Sequence, residues 1–301
     1  GQPIFFAHHI LTYGWMLERD HARFTDGLRR ADDSPLGACA LAGTAFNINS
    51  QATAKALGFS GVMENSIDAV SDRDFIAEFI FNCSLTMVHL SRLAEEMVVW
   101  SSEEFGYIKL ADALTSGSSI MPQKRNPDAL ELLRGKSART IGGLTQILSL
   151  LKGLPLAYNR DLQEDKLPLF DAADTTLASL EVAGVTFSTL QIDRRKMAES
   201  CSKGFLLATE LADYLARKGM PFRAAHAVTR QIVNACRHDA AIDGNLQNVS
   251  LSILKKHSPL FGQDVFKFLS VENNARAKNS YGGTGERALS RQISQFRKII
   301  R

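Results

Sequence analysis

The sequence predicts an all-α fold: a bundle of long helices, residues 1–194, truncated at its start, followed by a small C-terminal helical domain with a terminal helix, residues 195–301. Three observations carry that expectation. Apolar residues recur in steps of three and four over long stretches, which is helical spacing. Nothing alternates with period two for more than a few residues, so strand content should be very low. Past Asp193 the periods shorten between Gly204, Gly219-Met220-Pro221, Asp243-Gly244-Asn245 and Ser258-Pro259.

The first helix has a seam through Ile10, Leu17, Phe24 and Leu28. Its charged stretch from Arg19 to Arg30 also contains Glu18, Asp20 and Asp26 nearby, and reads as a solvated face. The next period, Ser66 to Ser102, would be one helix of about 55 Å at 1.5 Å per residue. Its seam, Ile76, Ile80, Cys83, Met87, Leu90, Ala94 and Met97, is a strict heptad, the pattern that packs helices at shallow angles. A further seam runs through Leu130, Leu133, Ser137, Thr140, Leu144, Ile147 and Leu151, with Gly135, Gly142 and Gly143 available for close approach. A fourth helix is expected from about Leu162 to Leu190, and a last amphipathic one from Glu286 to Ile300, with Leu289, Ile293, Phe296 and Ile300 on one stripe.

Composition narrows the function classes. The formal charge of +3 is spread over 35 basic and 32 acidic residues, which leaves no footprint for nucleic acid. No apolar run reaches the roughly 18 residues needed to span a bilayer, and the start Gly1-Gln2-Pro3-Ile4 lacks a charged-then-apolar signal pattern. Cys39, Cys83, Cys201 and Cys236 lie far apart, without metal-ligand spacing, and read as reduced core thiols of a cytoplasmic protein. Each of the seven histidines reads as structural rather than as a metal ligand, so no metal site is expected. The chain opens on Gly1 without an initiator methionine, as expected of a fragment, a processed chain or one whose first residues lie outside this sequence.

Chemistry concentrates in three segments. Ser116-Gly117-Ser118-Ser119-Ile120-Met121-Pro122-Gln123-Lys124-Arg125-Asn126-Pro127-Asp128 is a Gly/Ser loop with a fixed cation, running into a helix start. Asn126 reads as the N-cap, Pro127 as the first helical residue and Asp128 as an acid favoured by the helix dipole. Arg73, in Ser71-Asp72-Arg73-Asp74, falls on the backward extension of the heptad seam. A buried arginine requires anions, so it is either in a structural pair or aimed into a ligand cavity. Tyr158 to Lys166 is almost wholly polar and reads by composition as a solvated helix cap, although Tyr158, Gln163 and Lys166 offer a hydroxyl, an amide and a cation suited to an amino acid's charged groups.

The segments GSSIMPQKRNPDALELLRGK, SDRDF and LKGLPLAYNRDLQEDK together resemble the argininosuccinate lyase and δ-crystallin family of the aspartase/fumarase superfamily. The similarity also takes in Ser34-Pro35-Leu36-Gly37 and Leu41-Ala42-Gly43-Thr44. Gln2-Pro3-Ile4 resembles the tail of the family's Thr-His-Leu-Gln segment, so the catalytic Thr-His and the segments before it would lie outside this chain. The resemblance implies a carbon–nitrogen lyase that cleaves argininosuccinate reversibly into arginine and fumarate. Residue by residue, it implies Ser118 as the catalytic base on a mobile loop, with Lys124 and Asn126 on the succinyl part and Glu131 pairing with the family's histidine. Ser119, Met121, Arg73, Tyr158, Gln163 and Lys166 would complete substrate binding. It further implies a homotetramer with sites shared between subunits, acting in arginine biosynthesis. A δ-crystallin-like protein without activity, or another fumarate-releasing lyase such as adenylosuccinate lyase, are the alternatives.

Overall fold

Strict heptad spacing puts one residue of each turn on a shared face, and the computed structural model, which describes residues 1–300, buries that face. Two compact units form, one of Met16–Gln191 and one that combines Gly1–Trp15 with Ile192–Arg301.

In the first unit α1 (Phe6–Arg30, from Met16 on), α2 (Ser50–Leu57), α3 (Ser66–Ser71), α4 (Asp74–Ser101), α5 (Asp128–Leu151) and α6 (Lys166–Thr189) are the helices. The three long ones, α4, α5 and α6, pack on one another. All seven residues of the α4 seam are buried, and on α5 Leu130, Leu133, Thr140 and Ile147 are buried with them. Ile76, Ile80 and Cys83 of α4, Ile147 of α5 and Ala172 of α6 form one apolar cluster. The Ser84 hydroxyl lies 2.7 Å from Ile80 O and 2.9 Å from Thr140 O, so its proton serves α4 and α5. Strands are two residues long: β1 (Asp33–Ser34) pairs in parallel with β2 (Gly61–Val62), and the others are Ile108–Lys109 and Gln191–Ile192.

Three local expectations need correction. The period from Ser66 to Ser102 is broken into α3 and α4 at Asp72 and Arg73, where Asp72 turns extended, at ψ 135°, and its carboxylate accepts from Asp74 N at 2.9 Å. Such a local side-chain bond competes with helix continuation. Among the three α5 glycines only Gly143 approaches a neighbour: a Cβ there would lie 3.5 Å from Pro168 on α6, whereas Gly135 and Gly142 face open space. The charged stretch of α1 is not wholly solvated. Asp20 is buried at 3 % exposure, 2.6 Å from His89 Nδ1 and 3.0 Å from an Arg23 nitrogen.

Seen from outside, α6 carries a second apolar stripe. Phe170, Leu177, Leu180 and Phe187 are exposed, at heptad spacing through Gly184, whose Cβ would meet nothing within 4 Å. Beside it, a groove of about 520 Å³ is lined by Phe24, Leu28, Phe75, Phe79, Leu169 and Phe170.

The second unit holds α7 (Arg194–Ser200), α8 (Ala208–Arg217), α9 (Phe222–Cys236), α10 (Leu251–His257), α11 (Val265–Phe268), α12 (Val271–Ala277) and α13 (Glu286–Ile299). Its core is built around Leu211, Tyr214, Leu215, Ile232, Leu254 and Phe261. Tyr214 stacks on Phe261 at 5.6 Å and donates its hydroxyl proton to Asp264 at 2.7 Å. Lys218 and that phenol hold the Asp264 carboxyl below the usual carboxylate range. The first residues join this unit through Phe5 N, which donates to the buried Thr284 hydroxyl at 3.1 Å, and Gly14, where a Cβ would meet the Phe296 ring at 2.9 Å. Among the described residues, no helix is long and apolar enough to cross a membrane.

Candidate active site

Proline disfavours the helical region for its predecessor, and that preference shapes the Gly/Ser loop. Asn126, before Pro127, is held extended and pairs with Ser116 in an antiparallel bridge: Asn126 N donates to Ser116 O at 2.8 Å, and Ser116 N to Asn126 O at 3.0 Å. The expectation that Asn126 is the N-cap is therefore corrected by one residue. Pro127 occupies that position, α5 begins at Asp128, and no side chain caps it. The bridge cinches the base of the loop, while its tip stays in solvent, with Ile120 at 86 % exposure. Such loops combine a fixed base with a movable tip.

Within the loop, Ser118 Oγ accepts hydrogen bonds from Ile120 N at 3.3 Å and Met121 N at 3.1 Å. Two aimed amide dipoles favour negative charge on that oxygen. Lys124 N donates to Met121 O at 3.0 Å, which closes a turn. Lys124 Nζ makes no hydrogen bond or ion pair among the described residues and stands in solvent. Ser119 and Met121 are exposed, and Asn126 is half-buried. Glu131 lies exposed in the first turn of α5, next to Asp128 along the helix.

A second group gathers where α4 starts and α6 starts. Arg73 Nε lies 2.6 Å from Asp165 Oδ2, and Arg73 also donates to Asp72 O at 2.6 Å and Val70 O at 3.4 Å. Its place on the seam called for a buried anion, and Asp165 supplies one. Lys166 Nζ lies 2.8 Å from Asp165 Oδ1, with most of its side chain exposed. Asp165 itself is 1 % exposed, on the same face as the buried Leu162 and Pro168. The one local signal for Asp165 is its spacing of three from Leu162, which eclipses side chains in the 3₁₀ turn Arg160–Asp165. Tyr158 and Gln163 are exposed, and Ala157, at φ 67°, turns the chain just ahead of Tyr158. No hydrogen bond or ion pair among the described residues joins this group to the Ser118 loop.

A bundle of long helices with a bridged Gly/Ser loop leading into one of them is the all-α architecture of the aspartase/fumarase superfamily. A family described as Lyase matches residues 1–142, and one described as Argininosuccinate lyase C-terminal matches residues 205–276. Argininosuccinate lyase of Geobacillus thermodenitrificans is 52% identical over 95% of this chain and 61% of that protein. The Symbiobacterium thermophilum argininosuccinate lyase is 50% identical over 100% of the chain and 64% of its own length. The chain belongs to the argininosuccinate lyase family. It spans less than two thirds of the curated relatives it matches. Among solved structures, EDDS lyase in complex with formate superposes with a TM-score of 0.91 at 26% identity, over the whole chain and 61% of that one. A class II fumarase from Schistosoma mansoni, at 18% identity and a TM-score of 0.68 over 93% of the chain and 60% of its own, shares the fold.

Proposed function

We propose that the protein carrying this chain is a carbon–nitrogen lyase that cleaves argininosuccinate reversibly into arginine and fumarate, in the service of arginine biosynthesis. The observation that carries the reading is Ser118 Oγ, held on a bridged loop with two backbone N–H groups directed at it. The difficult step is removal of a proton from a carbon beside a carboxylate, which gathers a second negative charge on that carboxylate. A serine hydroxyl is a weak base, and the amides of Ile120 and Met121 supply what it lacks by favouring the alkoxide.

In this reading Ser118 takes the proton, and the Lys124 ammonium and Asn126 amide stabilise the dianion. Stabilising developing charge in this way is commonly the largest catalytic contribution. The carbon–nitrogen bond then breaks, arginine leaves as its nitrogen gains a proton, and fumarate remains. Ser119 and Met121 line the loop side, Tyr158, Gln163 and Lys166 hold the charged ends of the substrate, and Glu131 pairs with the catalytic histidine that the family resemblance implies. Closure of the loop would exclude water.

The assembly in this reading is a homotetramer with each site drawn from several subunits. The unpartnered α6 stripe and the adjoining apolar groove support it. Unpaired thiols, two of them buried at Cys83 and Cys236, support a cytoplasmic location. Full-length protein incubated with argininosuccinate, followed by fumarate absorbance, tests the activity. Turnover of a different succinyl compound instead would move the assignment elsewhere in the superfamily, and no turnover of any would favour a crystallin-like structural protein.

A further inference from the structure

Asp165 places its two carboxylate oxygens on two different cations, Oδ2 on Arg73 and Oδ1 on Lys166, while it is 1 % exposed. The two cations are not equivalent. Arg73 has a side chain only 17% exposed and spends further donors on Val70 O and Asp72 O, so it is built into the fold. Lys166 has a side chain 58% exposed and commits a single N–H, leaving two directed to solvent.

Neutralising a buried carboxylate needs one well-placed cation, and Arg73 provides it. The pairing to Lys166 adds little stability, because an exposed ammonium is screened by water. It does remove freedom from a long, flexible side chain. Adjacent residues on a helix ordinarily diverge, yet these two side chains converge, because Asp165 ends a 3₁₀ turn and Lys166 begins α6. The triad also keeps one net positive charge, and it presents that charge at its exposed end.

We propose that Asp165 is a positioning residue: anchored from behind by Arg73, it holds the Lys166 ammonium ready for a carboxylate of the substrate. Arg73 then acts through Asp165 and does not touch the substrate. This rests on the argininosuccinate reading given above, which wild-type turnover tests separately.

The experiment is steady-state kinetics of the full-length protein with argininosuccinate, for Asp165→Asn, Lys166→Met and the double variant, each checked for folding by circular dichroism. Asp165→Asn is expected to raise KM about tenfold, equivalent to about 1.4 kcal/mol of binding. Its kcat should stay within about twofold, the pattern for lost binding shared by ground and transition states. In the Lys166→Met background the same change should raise KM no further. An unchanged KM for Asp165→Asn, or a lowered one as expected if net charge alone mattered, would overturn the proposal. So would an equal rise in both backgrounds. If Asp165→Asn does not fold, Asp165→Glu, which keeps the charge but moves the carboxylate away from Lys166, takes its place in the same cycle: KM should rise in the wild-type background and no further in Lys166→Met, and an unchanged KM or an equal rise in both would overturn the proposal.

Discussion

Replacing Leu177 by arginine should break up the proposed tetramer while leaving each chain helical. Leu177 is 62% exposed in the middle of the α6 stripe, between Phe170 and Phe187. Covering roughly 100 Å² of leucine at about 25 cal/mol per Å² contributes about 2.5 kcal/mol per copy. Across a two-fold interface the residue appears twice, which makes about 5 kcal/mol, or between three and four decades in dissociation constant. The arginine adds the cost of desolvating a charge. No contact of the α4 and α5 seams is lost, so helix content should hold. Sedimentation velocity at micromolar concentration reads the result: the wild type as a tetramer, Leu177→Arg as smaller species with an unchanged far-ultraviolet spectrum. A variant that sediments like the wild-type tetramer would show that the α6 stripe is not the interface, and a wild-type monomer would remove the tetramer altogether.

Two further perturbations probe the bundle. Ile147 is fully buried against Ile76, Ile80 and Ala172, so Ile147→Ala should cost about 3–4 kcal/mol in denaturant unfolding and Ile147→Val only about 1; a cost under about 1 kcal/mol for the alanine would mean the seam can collapse. The Asp72 carboxyl is raised above its ordinary value, first by burial, then by Asp74 and Asp68. A raised acid stabilises fully below its unfolded value, near 4, and loses that contribution as pH rises through the folded one. Asp72→Asn, which can still accept from Asp74 N, should therefore gain about 0.3 kcal/mol at pH 7 after allowance for solvent screening, and less toward pH 4. Thermal midpoints at the two pH values check it, and an equal gain at both would contradict the cause.

The helices of the bundle were legible because a heptad is a long-range pattern with a single solution, and Ile76 through Met97 meet it at every step. What broke them was local. Asp72 ends α3 with one side-chain hydrogen bond, and Pro127 forces Asn126 into a bridge with Ser116 where capping propensity alone favoured a helix start. The Ser118 loop was legible by its residue types and by resemblance, but its two amide donors depend on a turn that no spacing reveals. Asp165 stayed hidden for another reason: the same acid in the same polar string is solvated or buried according to whether Arg73, far away in sequence, reaches it. Nor does helical periodicity report that residues as early as Phe5 and Gly14 pack against Thr284 and Phe296.

Ser118 is proposed as the base of a fumarate-releasing elimination, and Ser118→Ala in the full-length protein tests that role. Fumarate absorbance with argininosuccinate and the thermal midpoint are measured on the same sample. The Ser118 hydroxyl bonds only to exposed loop amides, which water can serve, so the midpoint should hardly move. Turnover should be abolished. Fumarate release at the wild-type rate, or a large fall in midpoint accompanying the lost activity, would contradict the account, the first by removing the base and the second by making the serine a structural residue.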